Sequence, residues 1–427
     1  MTVLIAGGGI AGLALGLTCQ QIGAPFRVYE SVESIRPLGV GINLQPTAVR
    51  ELIDLGFESR LDDIGVQTRD YGMYSKKGRH IWTEPRGTWA GYRWPQYSVH
   101  RGLLHMMLYE ELVHRAGPDC VQTGWAAMGF ENDRDQAVLY LRSRNGETRT
   151  ERGSLLVGAD GIHSALRRQM APDEGGPIWA GAMLWRGTTR AMPFLSGASM
   201  AMIGHSGLRF VSYPISKPDP SDGEATINWI ANLQYDLDQH WNKEDWNREA
   251  RLDDFLPRFL ELDFDWISAP RLIRGATKIY EYPMVDRDPF DRWTHGRVTL
   301  MGDAAHAAYP VGSNGAGSAI IDARKLGAAF VEHGLTADAL ESYEAEMRPV
   351  TSKVVLTNRV AGPDSILDLV EERCGGEFDD IEDVIPRAEL DAHARKYKSI
   401  AGYGIDETNA RPATIAPSAR CRRSGLT

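Results

Sequence analysis

Three glycines near the N-terminus have the spacing of a dinucleotide-binding loop. Gly7, Gly9 and Gly12 lie between a short apolar run and a helix-like stretch. The first permits a tight turn, the second lets the backbone approach a pyrophosphate, and the third allows close helix packing. Backbone amides at Ile10 and Ala11 would then face the phosphates. The pattern predicts that the loop binds NAD or FAD; the alternative is a glycine turn without a ligand.

Carboxylates at three later positions extend this site. Glu30 ends the second apolar run of the chain and can bind ribose hydroxyls. Asp160 and Asp303 each follow a short apolar run that is typical of a strand. In an open α/β sheet such strand ends face the ligand crevice, where a carboxylate can accept hydrogen bonds from the polyol of a long cofactor. These two acids favour FAD over NAD, and we interpret the nearby His163 and His306 as hydrogen-bonded structural histidines.

The three segments together resemble the fingerprints of class A flavoprotein monooxygenases, the para-hydroxybenzoate and salicylate hydroxylase group. The resemblance rests on the glycine loop, on Asp160-Gly161 and on Gly302-Asp303, and it covers nearly the whole folded chain. Within that group three further runs are most similar to the bacterial phenazine hydroxylases: Arg36–Asn43, Tyr97–Gly102 and Tyr282–Pro289.

The resemblance implies an enzyme that uses FAD, NADH or NADPH, and O2 to hydroxylate a small aromatic or heteroaromatic substrate, phenazine-like or salicylate-like. A C4a-hydroperoxyflavin would deliver the oxygen atom, so no amino-acid nucleophile or general base is expected. Two alternatives stay open. One is a related flavin-dependent reductase, epoxidase or dehydrogenase, and the other is a flavin-binding protein without turnover.

The same resemblance assigns roles to individual residues around FAD. Glu30 would bind the adenosine ribose, Arg101 the diphosphate and ribityl region, and Asp303 the ribityl hydroxyls. Gly41 and Ile42 would pass their backbone beside the isoalloxazine ring. Asp160 would support both the FAD site and the approach of the nicotinamide cofactor, and a surface salt bridge is the alternative role for Arg101.

A second glycine-rich stretch follows Asp303 and leads into a helix. Its amides would point at the pyrimidine edge of the flavin, and the helix dipole would stabilise negative charge there. The family usually shows Pro-x-Gly-Gly-Gln-Gly-x-Asn, whereas this chain has Ser313, Asn314 and Gly317 at the divergent positions. A backbone role is therefore expected for the following residues: Pro310, Gly312, Asn314, Gly315 and Ala316.

These motifs require a particular fold, which we predict as α/β, with a Rossmann-like FAD-binding domain, a mixed or antiparallel β-sheet substrate domain and a C-terminal helical segment. The FAD-binding domain would comprise residues 1–70, 97–178 and 275–360, and the substrate domain residues 71–96 and 179–274. The substrate segments alternate polar and bulky residues and hold nine of the eleven tryptophans. We predict substrate contacts for Trp185, Arg209 and Tyr213, the alternative being that each is structural.

Composition narrows the function classes further. The net charge of −10 and the scattered basic residues argue against nucleic acid as a partner. The four cysteines have no paired spacing, so neither a disulfide framework nor a metal site is predicted. No apolar run is long enough to span a bilayer and no signal peptide is evident, so a cytoplasmic location is expected. A homodimer is compatible with the sequence, and residues 361–427 are expected to form a helix and a flexible tail.

Overall fold

The computed structural model describes residues 2–236, 250–360, 365–392 and 404–422. Its first layer is a sheet of five strands, numbered along the chain: β1 (Val3–Ala6), β2 (Phe26–Glu30), β8 (Val121–Thr123), β12 (Leu155–Gly158) and β20 (Val298–Leu300). The strands lie in the order β20, β12, β1, β2, β8, and every neighbouring pair is parallel. All four residues of β1 are buried, as expected for a parallel sheet that is covered on both faces.

Helices cover this sheet and connect its strands. The α-helices with both ends in the described residues are α1 (Ile10–Ile22), α2 (Pro46–Asp54), α3 (Glu58–Ile64), α4 (Arg101–Ala116), α5 (Ala165–Met170), α6 (Leu252–Phe255), α7 (Ala269–Arg274), α8 (Asp303–His306), α9 (Gly315–His333), α10 (Ala337–Val360), α11 (Ser365–Cys374) and α12 (Ile405–Ala410). Helix α1 is apolar and buried over most of its length because it packs between the sheet, α4 and α9.

The second layer is a seven-stranded mixed sheet. Its strands are β5 (Asp70–Tyr74), β6 (His80–Pro85), β13 (Ile178–Ala191), β14 (Ser199–His205), β15 (Leu208–Pro214), β16 (Ala225–Gln234) and β19 (Ile279–Asp286). They lie in the order β19, β13, β16, β15, β14, β5, β6, and only the β14–β5 pair is parallel. The predicted fold class is confirmed. One detail differs from the predicted boundaries, because β19 belongs to this sheet although the sequence grouped it with the FAD-binding segments.

Short strands complete the described structure. One three-stranded antiparallel sheet consists of β3 (Gly41–Leu44), β7 (Tyr97–His100) and β4 (Gly65–Gln67). A second consists of β9 (Ala126–Asp133), β10 (Gln136–Arg142) and β11 (Thr148–Gly153). A two-stranded ribbon is formed by β17 (Asp263–Phe264) and β18 (Ile267–Ser268). The strand β3 lies between the two large layers, since it pairs with β7 and its first residue bonds to the second sheet.

The C-terminal residues differ from the expected flexible tail. Ile415 is only 4% exposed and belongs to the core around the first sheet. The Thr414 hydroxyl donates to Glu51 at 2.6 Å, and the Cys421 amide donates to the carbonyl of Ile22 at 2.8 Å. Residues 404–422 are therefore packed onto the first layer; the sequence predicts a tail there because residues 405–427 are rich in Ala, Pro, Ser and Arg and show no periodicity. Within the described part of the chain, no helix is both long and apolar enough to cross a membrane.

Candidate active site

The carboxyl ends of three parallel strands bring the sequence motifs together. Gly7 follows β1, Ala159-Asp160 follows β12, and Gly302 follows β20 after one residue. A Cβ built on Gly7 would lie 2.2 Å from the carbonyl oxygen of Ala159, and one on Gly302 would lie 3.0 Å from the Cβ of Ala11. The motifs thus meet at one edge of the sheet, where open α/β sheets bind their ligands.

The glycine loop has crowded positions and an open one. Gly7 has a φ of +108°, and a Cβ on Gly12 would lie 1.9 Å from the Gly7 carbonyl oxygen. In contrast, a Cβ on Gly9 would meet no atom within 4 Å. Gly9 is the N-cap of α1, and no side chain caps the first turn of this helix. Amides at Ile10 and Ala11 therefore lie at an uncapped helix end beside open space, a cradle that a diphosphate fits.

Glu30 is fixed beside this loop. Its carboxylate accepts hydrogen bonds from the amide of Gly8 at 2.7 Å, and from the amide of Val32 and the hydroxyl of Ser31, both at 2.9 Å. The ring of His105 lies 2.6 Å from the Gly8 carbonyl oxygen and supports the loop from α4. Glu30 is half-buried, and its oriented carboxylate can still accept hydrogen bonds from ribose hydroxyls.

Gly302 and Asp303 lie next to a buried pair formed by Asp322 and His306. Gly302 has a φ of +57°, and its amide donates to the carboxylate of Asp322 at 2.8 Å. The same Asp322 oxygen lies 2.6 Å from Nε2 of His306. Burial disfavours the imidazolium, yet Asp322 and the more distant Asp303 raise the pKa of His306 above its usual value. Asp303 itself is exposed at the start of α8, so its carboxylate is accessible to a ligand.

Asp160 has a structural partner of its own. Its carboxylate accepts hydrogen bonds from the hydroxyl of Ser164 at 2.6 Å and from the amide of Ala165 at 2.8 Å. Burial raises the pKa of Asp160, and these hydrogen bonds oppose that shift. Asp160 therefore holds the start of α5 against the end of β12. Its backbone lies beside Gly7, while its side chain is directed into this turn. His163, in the same turn, is exposed, and partial desolvation of its imidazole lowers its pKa.

Gly41 joins the two layers. Its amide donates to Oδ1 of Asn228 at 2.7 Å, and its carbonyl accepts from Arg186 at 2.8 Å and from the Tyr213 hydroxyl at 3.0 Å. A Cβ on Gly41 would lie 2.6 Å from Cγ of Asn228, so this close approach requires glycine. Burial raises the pKa of Tyr213 to about 12, and Tyr213 therefore stays a hydrogen-bond donor at neutral pH. Ile42 follows on β3, packed on the first core.

Arg101 lies next to this junction. It begins α4 directly after β7, and its amide donates to the carbonyl of Val40 at 2.9 Å. A Cβ on Gly39 would lie 3.5 Å from Cδ of Arg101, so the arginine packs along the loop that precedes Gly41. The side chain of Arg101 is exposed. The structure thus brings Arg101 to the strand that was expected beside the isoalloxazine ring.

The second glycine-rich stretch faces Gly41 from the opposite side. Pro310 and Gly312 line a cavity against the second sheet, and the Gly312 carbonyl accepts from Gln45 at 3.4 Å. Helix α9 then begins at Gly315 with no side-chain cap and no acidic residue in its first turn. A Cβ on Gly315 would meet no atom within 4 Å, whereas the neighbouring Asn314 is buried. Like α1, this helix presents an uncapped positive end to open space at Gly315 and Ala316.

The cavity lies between this stretch and the second sheet. One face of the sheet forms its floor, and a continuous row of paired residues crosses six strands: Arg186, Ile230, Val211, Met202, Met73 and Trp82. All six line the cavity. The floor is therefore apolar in its middle and broad enough for a flat ring system, with a cation at one end of the row.

Charged groups lie around this apolar floor. Three guanidinium groups and one carboxylate line the cavity, from Arg86, Arg186, Arg209 and Glu84, so positive charge is in excess. Arg86 pairs with Glu84 at 3.3 Å. Arg209 lies four residues before Tyr213 on β15, which places it roughly 13 Å from the Gly41 end of the floor. An anionic group on a planar ligand would find complementary charge at this far end.

Trp185 does not reach the cavity. Its neighbours Leu184 and Arg186 line the cavity, and residues alternate across a strand, so Trp185 faces the opposite side. There it stacks on Phe255 with ring centroids 4.7 Å apart, and its indole donates to Glu281 at 2.8 Å. Trp185 thus lies outside the cavity lining, as its structural alternative expects, whereas the predicted Arg209 and Tyr213 line the cavity.

Most of the other tryptophans also lie away from the cavity. Of the nine in the predicted substrate segments, Trp241 and Trp246 fall outside the described residues, and among the rest Trp82 alone lines the cavity. Several pack instead in the core on the opposite face of the sheet, under α6 and α7.

Sequence reasoning missed several residues of the site. Asn228 and Arg186 hold Gly41 across a separation of more than a hundred positions, and no local motif marks them. Arg86 and Tyr92 come from a loop without regular periodicity. The one available signal was the two-residue alternation of β13, which would have separated Trp185 from its two neighbours.

Comparisons with known proteins agree with this geometry. The sequence profile of a family described as FAD binding domain matches residues 1–358. The chain is 42% identical over 363 residues to the phenazine 1,6-dicarboxylic acid hydroxylase of Lysobacter antibioticus, covering 84% of this chain and 89% of that protein.

Two solved structures share the fold. Klebsiella pneumoniae HpxO, complexed with FAD and uric acid, superposes with a TM-score of 0.71 at 22% identity and covers 96% of this chain and 97% of its own. A salicylate hydroxylase in a substrate complex has a TM-score of 0.70 at 21% identity, with 97% and 98% coverage. At these identities the likeness establishes the fold.

Proposed function

This chain belongs to the FAD-binding domain family of flavin-dependent monooxygenases, and from that membership we propose that it hydroxylates a planar aromatic acid of the phenazine carboxylate type. NADH or NADPH would be the reductant, and the cytoplasm the location. The relative from Lysobacter antibioticus is named for a phenazine dicarboxylate, which supports this substrate class.

The observation that carries the proposal is the position and chemistry of the cavity. Its floor is a row of apolar side chains, its charged lining has an excess of positive charge, and one wall is formed by Pro310 and Gly312. A flat anionic ring would be held against the floor by apolar burial and oriented by a guanidinium group. Arg209 is the residue that we assign to this orienting role.

Different residues of the chain would bind different parts of FAD. FAD, when bound, supplies the electron transfer and the activation of O2. Gly9 and the uncapped start of α1 would hold its diphosphate, Glu30 its ribose, and Asp303 its ribityl hydroxyls. The uncapped start of α9 would stabilise negative charge at the ring. These assignments are supported by the close approach of the glycine loop to Ala159 and Gly302 at one edge of the parallel sheet.

Keeping water away from the reacting atoms is the remaining task of the protein. Tyr213 and Arg186 contribute by occupying both hydrogen-bonding positions of the Gly41 carbonyl. Because these donors come from the substrate sheet, the backbone beside the cofactor and the floor of the cavity are held in one geometry. A substrate bound on the floor would therefore lie at a defined distance from Gly41.

A substrate screen tests the proposal directly. Purified protein is supplied with FAD, NADH or NADPH, and phenazine carboxylates, salicylates or hydroxybenzoates, while reductant consumption, peroxide release and product mass are measured. We expect at least one aromatic acid to stimulate reductant oxidation and to gain one oxygen atom. Protein that binds no FAD would refute the cofactor assignment, and stimulated oxidation that yields only peroxide with every acid would refute the hydroxylase assignment.

A further inference from the structure

Residues 404–422, which we name the C-terminal strap, cross from the FAD-binding layer to the substrate cavity. One end of the strap is anchored on α2. The Thr414 hydroxyl donates to Glu51 at 2.6 Å, and the side chain of Arg50 donates to the carbonyl of Pro412. Glu51 in turn accepts from the fully buried Arg324 of α9 at 3.3 Å. The strap is therefore fixed to α2 and, through Glu51, to α9.

The other end of the strap holds a loop of the cavity wall. Residues 86–96, the cavity loop, contribute Arg86, Gly87, Ala90, Tyr92 and Gln96 to the cavity lining. Asn409 of α12 accepts a hydrogen bond from the Arg93 amide at 2.8 Å and donates to the Gly91 carbonyl at 2.8 Å. Its own carbonyl accepts from the Arg93 side chain at 3.2 Å.

These contacts bracket Tyr92. The two residues held by the Asn409 side chain, Gly91 and Arg93, are its immediate neighbours, and the Tyr92 side chain lines the cavity. Gly91 has a φ of +97°, a conformation that needs glycine, so the loop reverses direction at this point. One amide side chain thus fixes the backbone on both sides of a cavity residue.

We propose that Asn409 is a positioning residue that holds Tyr92 in the wall of the substrate cavity, so that the C-terminal strap is part of the substrate site. The inference rests on the proposed function, because it assigns the cavity to the aromatic substrate. Asn409 lines neither the cavity nor the glycine loop, and its effect passes through the cavity loop alone.

The variant Asn409→Ala removes both side-chain hydrogen bonds and leaves the backbone contact. The cavity loop then loses a net stabilisation equal to about one hydrogen bond, which predicts a roughly fivefold rise in KM for the aromatic acid. Peroxide release per reductant consumed should also rise, since a displaced wall admits water. FAD affinity and substrate-free reductant oxidation should stay at the parent values. The matched control is Glu407→Ala on the same helix, which breaks only an exposed ion pair with Arg411.

A double-mutant cycle separates positioning from general destabilisation. If Asn409 acts through Tyr92, then adding Asn409→Ala to Tyr92→Ala changes KM little further. Additive effects in the cycle, an unchanged KM in the single variant, or a parallel loss of FAD affinity would each overturn the inference.

Hydrogen exchange tests the contact without any turnover. The amide of Arg93 is protected by Asn409, so the peptide that covers the cavity loop should exchange faster in Asn409→Ala and at the parent rate in Glu407→Ala. Unchanged exchange in Asn409→Ala would overturn the positioning role. If the parent protein hydroxylates no aromatic acid but the exchange rises as expected, the proposed function fails while the contact between strap and loop stands.

Discussion

Replacing Gly9 by alanine should weaken FAD binding while leaving the fold intact. Gly9 has φ and ψ of −74° and −175°, which alanine adopts freely, and the added Cβ would meet no protein atom within 4 Å. The methyl group would instead occupy the space where a diphosphate approaches the start of α1. Overpacking of a tight contact costs roughly 1–3 kcal/mol, so the FAD dissociation constant should rise by about 5- to 150-fold.

The assay compares Gly9→Ala with Gly12→Ala, in which the same methyl group would lie 1.9 Å from a backbone oxygen of the loop. FAD affinity is measured by flavin fluorescence titration of the apoprotein, and fold stability by thermal unfolding without FAD. Gly9→Ala should change apoprotein stability by no more than about 1 kcal/mol, since it replaces one N-cap residue. Gly12→Ala should unfold at much lower temperature. Parent-like FAD affinity in a folded Gly9→Ala protein would refute the assignment of the loop.

Three further variants test other parts of the site. Arg209→Met should raise the dissociation constant of phenazine-1-carboxylate roughly 10- to 100-fold and leave that of uncharged phenazine unchanged, as followed by flavin absorbance; equal losses for both ligands would contradict an anion-binding role. Trp185→Phe should lower the free energy of unfolding by roughly 1–3 kcal/mol, because the buried Glu281 loses the hydrogen bond from the indole. KM should stay unchanged, and a raised KM would indicate that Trp185 contacts the substrate. His306→Asn should destabilise the protein most at low pH, because Asp322 raises the pKa of His306 in the folded state. The stabilisation that protonated His306 provides is complete below the pKa of the unfolded state and is lost as the pH rises through the pKa of the folded state. Urea unfolding at pH 6 and pH 9 measures the loss in the free energy of unfolding, and a larger loss at pH 9 than at pH 6 would contradict this prediction.

The sequence predicted the parts of the site that depend on local chemistry. A glycine loop between a strand and a helix, and acids at the ends of two later strands, have few alternative structures, and the structure brings them to one edge of the parallel sheet. The residues on the second sheet were harder to assign. Period-two alternation separates the faces of β13, but it does not tell which face is covered by helices and which forms a cavity. Trp185 lies on the face that is covered by helices, outside the cavity lining, and the sequence left a structural role open as its alternative.

The C-terminal segment differs from its prediction for another reason. It is rich in Ala, Pro, Ser and Arg and shows no periodicity, and a terminal segment of this kind is usually loosely attached. The strap is held by one buried isoleucine and by polar contacts to partners that lie hundreds of positions earlier in the chain, such as Glu51 and Ile22. No pattern within residues 404–422 encodes those partners, so the packing of this segment is a property of the folded surface that receives it.

Gly41 shows why the cofactor edge and the cavity have to be considered together. Both polar atoms of its peptide groups are bound by the second sheet, through Asn228 on one side and Arg186 and Tyr213 on the other. The close approach of Asn228 leaves no room for a Cβ, so the chain cannot relax at this position without losing the contact between the layers. A change in the floor near Tyr213 would therefore be transmitted through these hydrogen bonds to the Gly41 backbone, which we propose lies beside the cofactor. If Arg209 pairs with the substrate anion as we propose, the length of the apolar floor between Gly41 and Arg209 would decide which ring systems reach the cofactor with that ion pair formed.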